Sequence, residues 1–189
     1  MTMVIARPAN TPDAWSVRAA FIPEPWMACG WSEDGQRSRH HAVVDALDPQ
    51  PGDRLLDWGC GTGELCELLD DDVEYVGYDS APGMILRAAR EHVGRCFQTW
   101  EPTAVCDLVA CVGCFNLADR WSKERTWHTV RHLWDKTACR TLVVSLYAGD
   151  DPNCLSYTGA EAAACGAQLS SKVTVDQIRA NDLLLTVRR

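Results

Sequence analysis

The chain has no uninterrupted apolar segment of about 18 residues, so nothing in it reads as a membrane-spanning helix. Residues 1–20 also lack the continuous apolar core, roughly 7–15 residues long, of a secretory leader. A cytoplasmic chain without membrane attachment is the expectation. Positive charge is scarce as well: 18 Lys and Arg stand against 26 Asp and Glu, for a net charge of −8. Nucleic-acid surfaces set Lys and Arg against phosphates, and the noticeable basic clusters here are only Arg37-Ser38-Arg39-His40-His41 and a looser group at Arg120, Lys123 and Arg125. That balance favours a small-molecule partner over nucleic acid. No repeat, low-complexity tract or linker divides the 189 residues. One domain over 1–189 is expected, with residues 1–47 as a helical cap or lid on a core from 52 to 189.

Cysteine, by contrast, is plentiful at ten residues. Cys66, Cys106, Cys111, Cys139 and Cys165 fall inside apolar strand-like or helical runs, where a free thiol behaves as a small buried hydrophobe, so reduced cysteines are expected. Metal spacing is incomplete. Cys111-x-x-Cys114 has no second pair at zinc-ribbon distance, and His128-x-x-x-His132 shares a helical face without a third ligand near it, which reads as a solvated surface pair. No metal site is expected.

The informative stretch is Arg54-Leu55-Leu56-Asp57-Trp58-Gly59-Cys60-Gly61-Thr62-Gly63-Glu64-Leu65. An apolar run enters three glycines at alternate positions and an amphipathic segment follows, the pattern of a strand, a tight turn and a helix. Glycines at such a turn let backbone approach a ligand closely, and the helix start offers unpaired N–H groups. A second strand candidate, Glu74-Tyr75-Val76-Gly77-Tyr78-Asp79, ends in a carboxylate 22 residues after Asp57. In β-α-β nucleotide sites an acid about 20 residues on accepts hydrogen bonds from ribose hydroxyls, a role for which Asp79 is placed.

Asp57-x-Gly59-x-Gly61-x-Gly63 followed by Val76-Gly77-Tyr78-Asp79 resembles the class I S-adenosylmethionine-dependent methyltransferases and differs from the G-x-G-x-x-G spacing of dinucleotide oxidoreductases. The loop also carries no Lys or Arg, which a phosphate-free cofactor segment does not require. Gly113-x-Phe115-Asn116 at the end of the fourth strand is similar to a subset of small members of that class. The resemblance implies a doubly wound, Rossmann-like α/β fold: a seven-stranded sheet, mostly parallel, with a C-terminal antiparallel hairpin and helices on both faces. It implies S-adenosylmethionine as cofactor, with Gly59, Cys60, Gly61 and Gly63 around its methionine portion and Asp57, Asp79, Ser80 and Met84 beside them. Gln36-x-x-Arg39 matches a helix motif ahead of the glycine loop whose Arg pairs with the cofactor's carboxylate, and Trp31 lies next to it. Gly113 and Cys114 stand at the tip of strand four. Where relatives place an Asp or Asn for adenine, this chain has Gln98, Thr99 and Trp100, which become the adenine candidates.

The remaining pattern predicts helices over Glu33–Leu47, Glu64–Leu69, Ala81–Val93, Lys123–Lys136 and Ala160–Gly166. Strands are predicted over Arg95–Gln98, Cys106–Gly113, Thr141–Tyr147, Lys172–Ile178 and Leu183–Val187. Catalysis is expected as in-line displacement of the methyl group onto a small-molecule acceptor. Asn116, Tyr147, Tyr157 and His128 are the candidate acceptor contacts. A protein that binds S-adenosylmethionine without turnover is the alternative, ahead of an NAD(P)-dependent oxidoreductase. The chain lacks the Asn/Asp-Pro-Pro-Tyr/Phe tetrad of nucleobase amino-methylation.

Overall fold

In the computed structural model, which describes residues 11–137 and 139–189, seven strands form one sheet in the order β3-β2-β1-β4-β5-β7-β6. The strands are β1 (Arg54–Trp58), β2 (Glu74–Tyr78), β3 (Cys96–Gln98), β4 (Leu108–Val112), β5 (Thr141–Tyr147), β6 (Lys172–Arg179) and β7 (Asp182–Arg188). Pairings from β1 through β5 are parallel, whereas β7 runs antiparallel to both β5 and β6. The strand order reverses between β1 and β4, so a crevice opens beyond the carboxyl ends of those two strands.

The interior strands alternate between two apolar layers. Leu56, Val109, Cys111, Leu142 and Val144 point into one layer, packed by α5 (Lys123–Thr137) and α6 (Gly159–Gly166). Leu55, Leu108, Ala110 and Val143 point into the other, packed by α3 (Glu33–Leu47). Strands covered on both faces need apolar residues at every position, which is why β4 reads Leu-Val-Ala-Cys-Val and is buried throughout. Helices therefore cover both faces, as the sequence pattern implied. Cys66, Cys106, Cys111 and Cys139 are buried and Cys165 is partly buried; all ten cysteines are free thiols, and Cys96 is the exposed one.

Helix α3 begins where Ser32 caps the Gly35 N–H at 3.1 Å and ends at Asp48, whose φ of 50° is left-handed, just before Pro49. Its span agrees with the expectation. The sequence reading assigns no element before Glu33, yet α1 (Pro12–Phe21) and α2 (Pro25–Ala28) occupy that segment. Each opens on a proline, where the missing N–H removes no bond. Helix α1 lies on α4 (Pro82–Glu91), and the contact is close: a Cβ at Gly83 would stand 2.5 Å from the Ser16 backbone. The part of the expected cap at residues 1–10 lies outside the described residues.

One element differs in kind. Glu64–Leu68 forms a 3₁₀ helix instead of an α-helix over Glu64–Leu69. Gly63 enters it at φ 94°, the Cys66 N–H reaches the Gly63 carbonyl at 3.1 Å, and Leu69 is already extended. Six residues between that glycine and the acidic turn at Asp70 give too few i→i+4 bonds to offset nucleation.

Candidate active site

The crevice at the β1/β4 reversal holds a cavity of about 730 Å³. Its floor consists of the strand tips: Asp57 and Trp58 from β1, Tyr78 and Asp79 from β2, Val112 to Cys114 from β4, and Tyr147 from β5. Gly59, Cys60 and Gly61 form one wall, Gln36, Arg39 and His40 of α3 a second, and Trp15, Arg18, Cys29 and Trp31 from the N-terminal helices and turn a third.

Hydrogen bonds fix the glycine loop. The N–H groups of Gly59 and Cys60 donate to the Tyr78 carbonyl at 2.7 and 2.9 Å. Asp79 then accepts from the N–H of Gly61 at 3.1 Å and of Ala81 at 2.8 Å, so the carboxylate at the end of β2 also holds the turn beyond β1. Two bonds leave lone pairs available on that carboxylate. At Gly113, φ is 68° and an added Cβ would lie 2.4 Å from the Trp31 ring, which makes glycine necessary where the β4 tip meets the cap.

Three carboxyl groups gather at this end. Asp57 is 2% exposed, receives the Tyr75 hydroxyl at 2.8 Å, and is pushed up to about 7, first by burial. Burial likewise raises Glu64 and Asp79. Glu64 accepts from the Thr62 hydroxyl at 2.8 Å and from Gln36 at 3.4 Å through one oxygen, leaving its other oxygen buried and unpartnered. A thiol at Cys29, pushed up to about 11 by burial, stays protonated beside them, and burial together with the Arg39 charge lowers His40 to about 4 and keeps it neutral.

Arg39 has a partner that sequence reasoning did not foresee. Its Nη2 donates to both oxygens of the buried Asp182, at 3.0 and 2.9 Å, tying α3 to the start of β7. The guanidinium still lines the cavity, 5.1 Å from the Trp31 ring centroid, and its Nε is buried without a partner.

The opposite end is aromatic and basic. Trp58 stacks on Phe115 at 5.4 Å, and Trp121 meets both rings edge-on, at 5.9 and 4.8 Å. Asn116 accepts the Tyr147 N–H on its side-chain oxygen at 3.0 Å, and both residues line the cavity. Helix α5 contributes Arg125, His128, Thr129 and His132 to the wall.

Of the sequence-predicted residues, Trp31, Gln36, Arg39, Asp57, Gly59, Cys60, Gly61, Asp79, Ser80, Met84, Gly113, Cys114, Asn116, Tyr147 and His128 are brought together around one cavity. Gly63 stands behind it, under the Phe97 ring. Gln98, Thr99 and Trp100 do not line it: Gln98 donates to the Trp100 carbonyl, and Trp100 is 67% exposed. Tyr157 also lies apart, 1% exposed and hydrogen-bonded to the Thr126 hydroxyl at 2.8 Å, and is therefore a packing residue. The imidazoles of His128 and His132, read as a solvated pair, are open to solvent and also line the cavity. Sequence reasoning missed Trp58, Glu64, Glu101, Arg120, Trp121 and Arg125. For Trp58 and Glu64 the signal was adjacency to the glycines, whereas the others reach the site only through the fold. Among the described residues no group of three His, Cys, Asp or Glu could hold a metal ion, and no helix is long and apolar enough to cross a membrane.

A family described as methyltransferase domain matches residues 33–142. Over 63 residues the chain is 36% identical to a demethylmenaquinone methyltransferase of Beutenbergia cavernae, covering 33% of this chain and 26% of that protein. It is also 36% identical over 61 residues to an uncharacterized protein in a transposon of Streptomyces fradiae, covering 30% of this chain and 18% of that one. These matches span about a quarter or less of the relatives' lengths. Among solved structures, magnesium protoporphyrin IX methyltransferase of Synechocystis PCC 6803, with bound S-adenosylmethionine, superimposes with a TM-score of 0.66 at 18% identity, covering 87% of this chain and 82% of that one. The N-methyltransferase NodS of Bradyrhizobium japonicum WM9, in complex with S-adenosylhomocysteine, gives 0.68 at 15% identity, covering 95% and 99%. With the family matched over more than half its length and the strand order, glycine loop and terminal hairpin in agreement, the chain belongs to the methyltransferase-domain family, the class I S-adenosylmethionine-dependent methyltransferases.

Proposed function

We propose that this cavity binds S-adenosylmethionine at its acidic end and methylates a small molecule received at its aromatic end. The single observation that carries the reading is a pair of buried, unpartnered polar atoms on the cavity wall, Glu64 Oε1 and Arg39 Nε. One is an acceptor and the other a donor, which is what the ammonium and carboxylate of an amino-acid head group call for. Asp79, with lone pairs left, suits the ribose hydroxyls, and Ser80 and Met84 stand beside it.

When bound, the cofactor supplies a methyl group already activated on a sulfonium, so the chain's contribution is orientation rather than strong acid or base chemistry. Three acidic groups in a poorly hydrated pocket favour a cationic ligand, and the ionised form of Asp57 gains from its charge. On the acceptor side, Asn116 is fixed by the Tyr147 N–H and presents its amide donors, while Tyr147 closes the wall beside it. His128 is an imidazole on the same wall that can take up a proton. The excess of acidic residues over the whole chain supports a small acceptor rather than nucleic acid.

Calorimetric titration tests the cofactor assignment. S-Adenosylmethionine and S-adenosylhomocysteine are expected to bind with micromolar affinity and NADH not at all, with binding strongly weakened in Asp79→Ala. Unaltered affinity in that variant sinks the site.

A further inference from the structure

Charge is separated along the cavity. Asp57, Glu64 and Asp79 gather around the glycine loop, while α5 sets Arg125, His128, Thr129 and His132, spaced i, i+3, i+4 and i+7, on the cavity wall, with Arg120 just ahead of that helix and bonded to Ser80, next to Asp79. Among the described residues four arginines touch the cavity, and two are engaged within the fold: Arg18 with the carbonyls of Met27 and Ala28, Arg39 with Asp182. Neither of the other two has a carboxylate within ion-pair distance, although the Arg120 charge acts on Asp79 and Arg125 is exposed to solvent. Arg120 donates to the Ser80 hydroxyl at 2.8 Å and Arg125 to the Arg120 carbonyl at 3.2 Å, and neither pairs with a carboxylate among the described residues. The one carboxylate lining this end, Glu101, stands 3.5 Å from His132.

The aromatic floor beneath them has unused donors. Trp121 is 8% exposed and lies under Arg125, whose guanidinium carbon is 4.7 Å from the ring centroid. Its indole N–H and that of Trp58 are buried and have no hydrogen-bond partner. Buried donors without acceptors are uncommon in folded chains, and two in the Trp58–Trp121 cluster beside guanidinium groups that lack a carboxylate partner form a site that suits an anion.

Resting on the reading of the acidic end as the cofactor's seat, we propose that the acceptor is an aromatic or otherwise apolar organic anion whose carboxylate or phosphate ester is held by Arg120 and Arg125. A guanidinium fork matches either anion, and Trp58 and Trp121, which line the cavity, offer the apolar body a surface. The overall charge of −8 makes the local pair of arginines more telling, because the rest of the surface repels such a molecule.

The test uses the full chain saturated with S-adenosylhomocysteine, titrated calorimetrically with phenyl phosphate, benzoate and the neutral benzamide. At least one anion is expected to bind about 10-fold or more tightly than benzamide, and the order of the two anions tells phosphate ester from carboxylate. Arg125→Gln is expected to weaken that anion about 10-fold while S-adenosylhomocysteine affinity stays within about 2-fold, which also shows that the variant is folded. The Arg120→Gln, Arg125→Gln double variant is expected to lose the anion preference. Normal S-adenosylhomocysteine binding with benzamide equal to the anions, or a double variant that keeps the preference, overturns the proposal. Failure of S-adenosylhomocysteine to bind the unsubstituted chain removes the cofactor reading first and this proposal with it, so the two failures are told apart.

Discussion

Replacing Asp57 with asparagine is expected to make the cofactor-free chain more stable while weakening cofactor binding. The carboxyl is pushed up to about 7 from an ordinary 3.8, chiefly by burial, with one hydrogen bond from Tyr75 opposing that rise. Between those two values the folded chain holds a proton that the unfolded chain has released. Stability contributed by this group therefore falls as pH rises through that window and reaches its lowest above the folded pKa. At about 1.4 kcal/mol per pKa unit, the penalty is roughly 1.5 kcal/mol at pH 5 and roughly 4 kcal/mol at pH 8. Asparagine carries no charge and keeps a carbonyl for the Tyr75 hydroxyl, so it escapes this penalty at every pH. Urea unfolding of both chains at pH 5, 6, 7 and 8, without ligand, is expected to show the variant's advantage widening by about 2–3 kcal/mol across the series. Calorimetry at pH 8 is expected to show weaker S-adenosylhomocysteine binding by the same variant. An advantage that stays flat with pH would refute the assignment of a buried, reluctantly ionised carboxyl to this position.

Other substitutions probe the joints of the site. Arg39→Ala leaves Asp182 buried with only the more distant Arg179, and is expected to cost about 3 kcal/mol in urea unfolding and to weaken S-adenosylhomocysteine binding. Gly113→Ala forces a side chain onto a left-handed backbone against the Trp31 ring, with an expected loss of about 2 kcal/mol and a change in Trp fluorescence. Tyr157→Phe removes the buried bond to Thr126 and is expected to cost about 1 kcal/mol in stability while leaving cofactor affinity, measured by calorimetry, unchanged.

What could be read in advance was local. The strand-glycine-helix signal around Asp57–Gly63, the carboxylate at Asp79, helix α3 over Glu33–Leu47, and the period-2 alternation of β6 depend on neighbours in sequence, and each appears where its pattern placed it. The residues that escaped depend on which elements the sheet order brings together. Arg39 and Asp182 lie 143 positions apart, and no spacing rule joins them. His128 and His132 were legible as sharing one exposed helical face, but only the seating of α5 beside the β1/β4 reversal puts that face on the rim of the cavity. Tyr157 looked like a loop hydroxyl available to a ligand, and was instead drawn under α5 by the Thr126 hydroxyl. The run from Gln98 to Trp100 matched a family position for adenine, yet the chain turns outward after β3 and leaves the Trp100 ring in solvent.

The sheet's two borders also differ from its interior in a way that bears on solubility. A strand at a border exposes a row of unpaired N–H and C=O groups on which another copy can build. Here one border is β3, with only three residues and therefore a short template. The other is β6, eight residues long but marked by Lys172, Asp176 and Arg179 and by a register irregularity between Gln177 and Arg179. Meanwhile the most apolar strands, β4 and β5, are flanked on both sides. Stacking of folded copies through their borders into fibrils is thus opposed at one end by brevity and at the other by charge, so aggregation of this protein must begin from chains whose interior strands have come apart.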